Sequence, residues 1–481
     1  MGDADLWPAL TYDDAELVFG VAAAVGTDTD AFQKALKDHL DKFGYSLNPI
    51  RLSALLERLD HGVKLRAKPE YDRIRTRMDA GNAMRERAQR GDLLALYAVS
   101  EINKIRPGSS HEEPLARRAH LLLTLKHPDE VRALRRIYGP GFFLIGVYSS
   151  EDERLRYLTQ DKGIPARNAQ KLVERDKDEG QPYGQRTRGT FYLADVFVRS
   201  DQKEQVWRFV DLVFGHPFTT PRRDEDAMFL AYAASLRSAA LGRQVGAAIA
   251  SAKGEIIAVG SNDVPRFGGG LYMEGETPDY RDHVIGRDSN EDYQTRILQQ
   301  ITQRLAPGMS AEEARDKLRG SLLLDVSEFG RAVHAEMDAL LSCARCGASP
   351  RGGTLYTTTF PCHNCARHIV AAGVHRVVYI EPYAKSRAAD LHNDAIAVEE
   401  LPGQDDKKVR FEPFVGIGPR RYFDLFSTSL SSGYPISREL SLKQTWPGRA
   451  RTRVPMLPTS YLRREKLAIE VLQKETREEE P

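Results

Sequence analysis

Pro361-Cys362-His363-Asn364-Cys365 follows His334-Ala335-Glu336 across a β-branched run, Thr354-Leu355-Tyr356-Thr357-Thr358. Around these residues the pattern predicts a helix over Ala332–Cys343, a strand over Thr354–Thr358, a helix over Cys362–Gly373 and a strand over Arg376–Ile380. The residue types are those of a metal centre. Zinc takes imidazole nitrogen and thiolate sulfur, and a catalytic zinc keeps three protein ligands and one open position. His334, Cys362 and Cys365 supply such a set. Cys362 and Cys365 share one helix face, Pro361 suits a helix start, and a helix N-terminus favours thiolates. Glu336 adds a carboxylate that can relay protons beside zinc-activated water.

The cysteines alone allow a second reading. Cys343-x2-Cys346 and Cys362-x2-Cys365 have the spacing of a structural zinc site with four thiolates. Against it, Cys343 and Cys346 end an apolar helix, with Met337, Leu340 and Leu341 expected in the core. The order helix, strand, helix also lacks the two hairpin knuckles of a zinc ribbon. Cys343 and Cys346 are therefore expected as small core residues.

The chain has 481 residues and a net charge of +1, with 41% hydrophobic and 28% charged residues. That balance argues against a protein that coats nucleic acid, whose affinity comes from many Lys/Arg–phosphate contacts. Four cysteines in this length make no disulfide framework and suit a reducing compartment. MGDADLWPAL at the start lacks a basic segment followed by an apolar run, and no apolar stretch approaches the ~20 residues of a membrane span. The expectation is a cytoplasmic protein with no membrane partner.

Ahead of the metal segment, strands are expected over Glu16–Ala24, Tyr45–Leu52, Ala119–Leu125, Gly141–Val147 and Thr190–Val198, with helices such as Asp30–Lys42 between them. Such alternation predicts a parallel α/β sheet covered on both faces. A linker over Phe214–Arg223 leads to a helix over Asp224–Ala240 and a strand pair, Gln244–Ala250 and Glu255–Val259. The expected division is 1–220, then 221–425 with an insertion at 263–331, then a C-terminal extension, 426–481.

The order H-x-E then P-C-x-x-C is the signature of zinc-dependent nucleobase deaminases. Residues 224–423 resemble the deoxycytidylate deaminase family of the cytidine deaminase superfamily, also through Gln244-Val245-Gly246-Ala247 and Gly260-Ser261-Asn262. The resemblance implies a cytidine deaminase-like α/β/α fold, Zn²⁺ on His334, Cys362 and Cys365, Glu336 as the catalytic residue, and a sugar contact at Asn262. It also implies a pocket residue at Tyr383. The basic residues that follow, Lys385 and Arg387, could meet a phosphate with Ser386, as could Arg237 and Arg243. The whole chain resembles bacterial anti-phage deoxycytidine nucleotide deaminases, which join a P-loop-kinase-like N-terminal domain to this catalytic domain. His127-Pro128-Asp129-Glu130, Phe142–Tyr148, Thr190–Val196 and Gly269-Gly270-Leu271-Tyr272 carry that likeness. It implies conversion of dCTP to dUTP and dCMP to dUMP, depletion of the dCTP pool, a homo-oligomer, and restraint by a nucleotide effector or an inhibitory small RNA.

The first βα turn departs from a phosphate loop. Val21-Ala22-Ala23-Ala24-Val25-Gly26-Thr27-Asp28 lacks the first Gly of a Walker A loop. Thr27 and Asp28 stand where Lys and Ser/Thr would follow Gly26, so this is a degenerate P-loop without expected kinase activity. Asp28 suits a helix cap instead. Two other classes share the zinc motif: an editor of tRNA or single-stranded DNA, and a zinc-stabilised interaction module without catalysis.

Overall fold

Leu17–Ala23 forms β1, an apolar strand buried on both faces, as the centre of a parallel sheet must be. From it the chain runs through α1 (Asp30–Leu40), β2 (Ser46–Arg51), α2 (Glu70–Arg87), α3 (Leu93–Lys104) and β3 (Arg118–Leu123). Then come α4 (Pro128–Tyr138), β4 (Phe142–Tyr148), α5 (Ala166–Lys177), β5 (Val196–Arg199) and α6 (Lys203–Val213). These five strands lie parallel in the order β5-β4-β1-β3-β2. Phe19, Leu36, Leu121, Phe143, Val198 and Phe209 build the core between sheet and helices. The expected strand over Thr190–Val198 begins only at Val196. Thr187–Phe191 turns as a helix, its Thr190 hydroxyl bonded to the Arg186 carbonyl.

This computed structural model describes residues 14–107, 113–177, 179–326, 328–383, 386–399, 407–429, 436–440, 446, 450–453 and 458–477. Among them no helix is long and apolar enough to cross a membrane.

A second unit spans Arg223–Phe414. It holds α7 (Arg223–Ser235), β6 (Gly246–Ala250), β7 (Ile256–Ser261), α8 (Ser289–Leu305) and α9 (Ala335–Cys346). β8 (Thr354–Thr359), α10 (His363–Ala371), β9 (Arg376–Glu381), β10 (Ile396–Val398) and β11 (Val409–Pro413) complete it. The sheet order is β10-β11-β9-β8-β6-β7, antiparallel where β6 meets β7 and β8, and parallel from β8 outward. The insertion is clasped at its base: Val333 N donates to the Asp263 carbonyl at 2.9 Å, and the two residues form an isolated bridge. A long excursion containing α8 thus leaves and rejoins the sheet layer at one point.

After β11 the chain returns to the first unit, with β12 (Gly416–Ile417) antiparallel to β5 and α11 (Pro458–Arg477). The second unit therefore ends at Phe414, not at the expected residue 425. The described part of 426–481, expected as a separate extension, belongs to the first unit. Buried charge explains the assignment. Arg421 pairs with Asp195 at 3.5 Å and Asp424 at 3.0 Å, its guanidinium 4.6 Å from the Phe143 ring centre. On α11, Glu465 and Tyr461 complete a buried cluster with Arg106, Glu16 and His120. A buried guanidinium is costly without carboxylates beside it, so the C-terminal helix is required where Arg106 lies.

Candidate active site

The site of the second unit is assembled from two helix N-termini. His334 is the N-cap of α9, and Cys362 is the N-cap of α10 with its sulfur accepting from Cys365 N at 3.5 Å. Both capping residues have extended backbone, which turns their side chains back across the helix start. Two glycines set the depth of the helices. A Cβ on Gly260 of β7 would stand 2.3 Å from the Ala335 carbonyl oxygen and 2.5 Å from Ala339 N. A Cβ on Gly246 of β6 would stand 1.9 Å from the Ala231 carbonyl oxygen on α7. Only glycine lets these backbones approach so closely.

The result brings His334 Nδ1 to 3.3 Å from the sulfurs of both Cys362 and Cys365. A tetrahedral zinc with about 2.1 Å to nitrogen and about 2.3 Å to sulfur needs these donors about 3.6 Å apart, so the arrangement fits. Among the described residues, His334, Cys362 and Cys365 are the group able to hold a metal ion, their ligand atoms within 4.8 Å of one another. Glu336 is buried and directs Oε2 to 3.4 Å from the Cys365 sulfur.

The electrostatics suit a cation at this point. Burial pushes the Glu336 carboxyl up to about 7, and the Cys362 sulfur adds to the shift. Hydrogen bonding from Cys365, with His334 beside it, holds the Cys362 thiol down at about 4. Its partner Cys365 is pushed well above its ordinary value by Cys362 and by burial. His334 rises to about 8 through its hydrogen bond with Cys362. Ionising every donor at once requires a positive charge among them.

The four-thiolate alternative does not form. Cys343 and Cys346 lie at the far end of α9, Cys343 in the core and Cys346 exposed. Both Cys346 and Leu341 depart from their expected burial, because they fall on the outward face of that helix.

A cavity of about 190 Å³ opens over the metal ligands, lined by Arg243, Val245, Asn262, His334, Ala335, Glu336, Thr359, Phe360, Cys362 and Tyr383. Sequence-predicted Asn262, Arg243 and Tyr383 thus join the metal set. Asn262 Oδ1 accepts from Val245 N at 2.7 Å, and its Nδ2 donates to the Arg243 carbonyl at 2.9 Å, fixing the amide at the wall. Arg243 lies 5.2 Å from the Tyr383 ring centre and pairs with Glu381. Ser386 does not line the cavity. Its hydroxyl donates to the Pro361 carbonyl at 2.7 Å and so steadies the start of α10. Lys385 lies outside the described residues. Arg387 faces Asp390 at 3.8 Å, and Arg237 lies 3.4 Å from the Ser261 hydroxyl and 3.7 Å from Asp338.

Sequence reasoning missed Val245, Thr359, Phe360 and Asp338. Asp338 is buried, and its Oδ2 accepts from Ser261 N at 3.2 Å, tying α9 to the residue before Asn262. Its place two residues after Glu336 on the same helix was the available signal.

Residues 221–381 match the cytidine and deoxycytidylate deaminase zinc-binding region. The matched stretch contains the His334, Cys362 and Cys365 group. The chain is 37% identical over 83 residues to the deoxycytidylate deaminase of Enterobacteria phage T4, covering 17% of this chain and 43% of that protein. It is 39% identical over 84 residues to ComE operon protein 2 of Bacillus subtilis (strain 168), covering 17% and 44%. The chain therefore spans less than half the length of these relatives. Among solved structures, the dCMP deaminase of cyanophage S-TIM5 in complex with dCMP and dUMP aligns at 21% identity with a TM-score of 0.24, over 41% of this chain and 99% of that one.

Proposed function

We propose that the second unit is a zinc-dependent deaminase of deoxycytidine nucleotides, converting dCMP to dUMP and dCTP to dUTP. The observation that carries this reading is the convergence of His334, Cys362, Cys365 and Glu336 at the floor of one cavity. His334, Cys362 and Cys365 would hold the metal, and a zinc ion held there would supply Lewis acidity that makes water a stronger acid near neutral pH.

The chain's own residues supply the rest. Glu336 receives a proton from the attacking water and passes it to the ring nitrogen next to the reacting carbon. It then carries the second proton to the departing amine, so that a C–O bond forms, the C–N bond breaks and ammonia leaves. Its raised proton affinity, caused first by burial, suits a group that must both accept and donate near pH 7. The Phe360 and Tyr383 rings border the cavity as apolar faces for a flat base. Asn262, fixed by two backbone hydrogen bonds, meets the sugar, and Arg243 beside Tyr383 meets the phosphate.

The likeness of the N-terminal stretches to anti-phage deaminases supports a finer reading, in which the reaction drains the dCTP pool during infection. The free cysteines support a reducing, cytoplasmic setting. The test is a panel of CMP, CTP, dCMP, dCTP, adenine nucleotides and a cytosine-containing oligonucleotide, with products separated by chromatography. Turnover of dCMP and dCTP is expected. Activity on the oligonucleotide alone would move the reading to a polynucleotide editor, and bound zinc without turnover of any substrate to an interaction module.

A further inference from the structure

We infer that the first unit contains a second small-molecule site, built for a nucleoside 5′-monophosphate, at the C-terminal ends of β1, β2 and β3. This inference is independent of the deaminase reading. The cavity there measures about 390 Å³, against about 190 Å³ over the metal ligands. That size lies within the range of ligand pockets. Its place, outside the carboxyl ends of parallel strands, is where open α/β sheets receive ligands.

Gln185 identifies the wall that reads the ligand. It is 4% exposed and lines the cavity, yet its Oε1 has no hydrogen-bond partner. The orientation of the amide follows from its neighbours. Arg85, also buried at the cavity, can only donate, and its Nη2 donates to Asn82 Oδ1 at 2.8 Å. That same oxygen must then accept from Gln185 Nε2, at 3.1 Å, while Asn82 Nδ2 donates to Glu179 at 2.5 Å. Flipping the Gln185 amide would set two oxygens against each other. Oε1 is therefore left as an acceptor that a ligand N–H or O–H can satisfy, beside a guanidinium that can only donate. A heterocycle edge with adjacent donor and acceptor, as nucleobases present, matches this pair. Met78, Leu94 and Leu158 supply apolar wall for the ring.

The anion of such a ligand does not go to the β1–α1 turn. Asp176 already occupies that position: its Oδ2 accepts from Val25 N at 2.8 Å and its Oδ1 from Lys126 Nζ at 2.8 Å. Lys126 also donates to the Ala23 carbonyl at 2.7 Å, and Asp28 accepts from Asp30 N at 2.9 Å as part of the helix start. An internal carboxylate has taken the phosphate's place at the degenerate loop, which excludes a triphosphate cradled there. The wall as a whole remains cationic, with six arginines and lysines against three carboxylates. Arg51 stands on it with its guanidinium unpaired among the described residues, and Lys162, also on the wall, makes a cation–π contact with the Tyr157 ring at 4.9 Å within the field of Glu70 and Asp30. One phosphate at this rim, with the base toward Gln185, matches the distribution of charge.

The full-length chain is to be titrated calorimetrically with AMP, GMP, dCMP and dTMP, and the bound state mapped by hydrogen–deuterium exchange. Slower exchange is expected in peptides covering 70–87 and 157–177 with at least one monophosphate. Gln185→Leu is expected to weaken that binding at least tenfold, and Arg51→Ala three- to tenfold with a shallower salt dependence. Arg51→Ala, on an exposed position, keeps the test readable should Gln185→Leu fail to fold. Protection confined to peptides within 243–262 and 334–383, no protection with any monophosphate, or unchanged affinity in Arg51→Ala would each overturn the proposal. None of these outcomes depends on deaminase turnover, so the two readings fail separately.

Discussion

Glu336 Oε2 lies 3.4 Å from the sulfur of Cys365, although the two residues stand on different helices and 29 positions apart. A buried carboxylate and a cysteine of the group able to hold a metal are thus neighbours without sharing a hydrogen-bonded backbone segment. The carboxylate can therefore be altered without removing a ligand. Glu336→Gln is expected to keep one zinc per chain, measured by atomic emission, while ammonia release falls at least about 10²-fold, the usual contribution of a positioned general acid–base group. Retained turnover in that variant would remove Glu336 from the mechanism.

The metal set and the spare cysteines make opposite forecasts. His334→Ala and Cys365→Ser each take away one of three ligands, and their zinc content is expected to fall at least tenfold. Cys346→Ser, at an exposed position on the far end of α9, is expected to leave zinc content and melting temperature unchanged. Loss of zinc in Cys346→Ser would restore the four-thiolate arrangement.

Gly260→Ala tests how the site is held in place. The added Cβ would meet the Ala335 carbonyl at 2.3 Å, a backbone atom that cannot swing aside. Helix α9 must move off β7, and His334 and Glu336 move with its N-terminus. Overpacking of this kind costs about 1–3 kcal/mol, so a lower urea midpoint is expected together with reduced zinc affinity. Ala344→Gly on the same helix serves as a control for stability loss without displacement.

Asp224 links α7 to the sheet through Arg376, with Nη1 at 2.9 Å and Nη2 at 2.8 Å, and accepts from the Tyr356 hydroxyl at 2.7 Å. Burial alone would raise its carboxyl, but the hydrogen bonds and charge of Arg376 outweigh that and hold it below the ordinary value. A carboxyl depressed in the folded state contributes stability above its unfolded pKa of about 3.9, and loses it as pH falls through the folded value. The difference in melting temperature between wild type and Asp224→Asn is therefore expected to be constant from pH 5 to 8 and to shrink below about pH 4. A difference that grows on acidification would contradict the assigned sign.

Much of the site was legible because its signals are local. Cys362 and Cys365 share the first turn of one helix, and His334 and Glu336 flank the start of another, so spacing reported them directly. Val245 and Phe360 were not legible. Each is an ordinary apolar residue whose place at the cavity follows from the pairing of β6 with β8 and the link from Phe360 N to the Glu381 carbonyl, at 2.6 Å. Ser386 looked like a phosphate contact because it sits in a basic run. Its hydroxyl instead satisfies the Pro361 carbonyl, a partner 25 residues away that no local pattern indicates.

The same division holds for the chain as a whole. Sequence alone indicated the alternating α/β character, the grouping of His334, Cys362 and Cys365 and the carboxylate of Glu336 beside them, since hydrophobic period and ligand chemistry are properties of short segments. Tertiary structure decided where the second unit ends, which residues close the cavity, and that Asp176 fills the anion position of the first βα turn. These depend on which distant group satisfies a buried charge or a free backbone amide. Arg106 drawing Glu465 across the chain, and Arg421 drawing the 415–426 segment onto Asp195, are long-range electrostatic choices made only when the chain is packed.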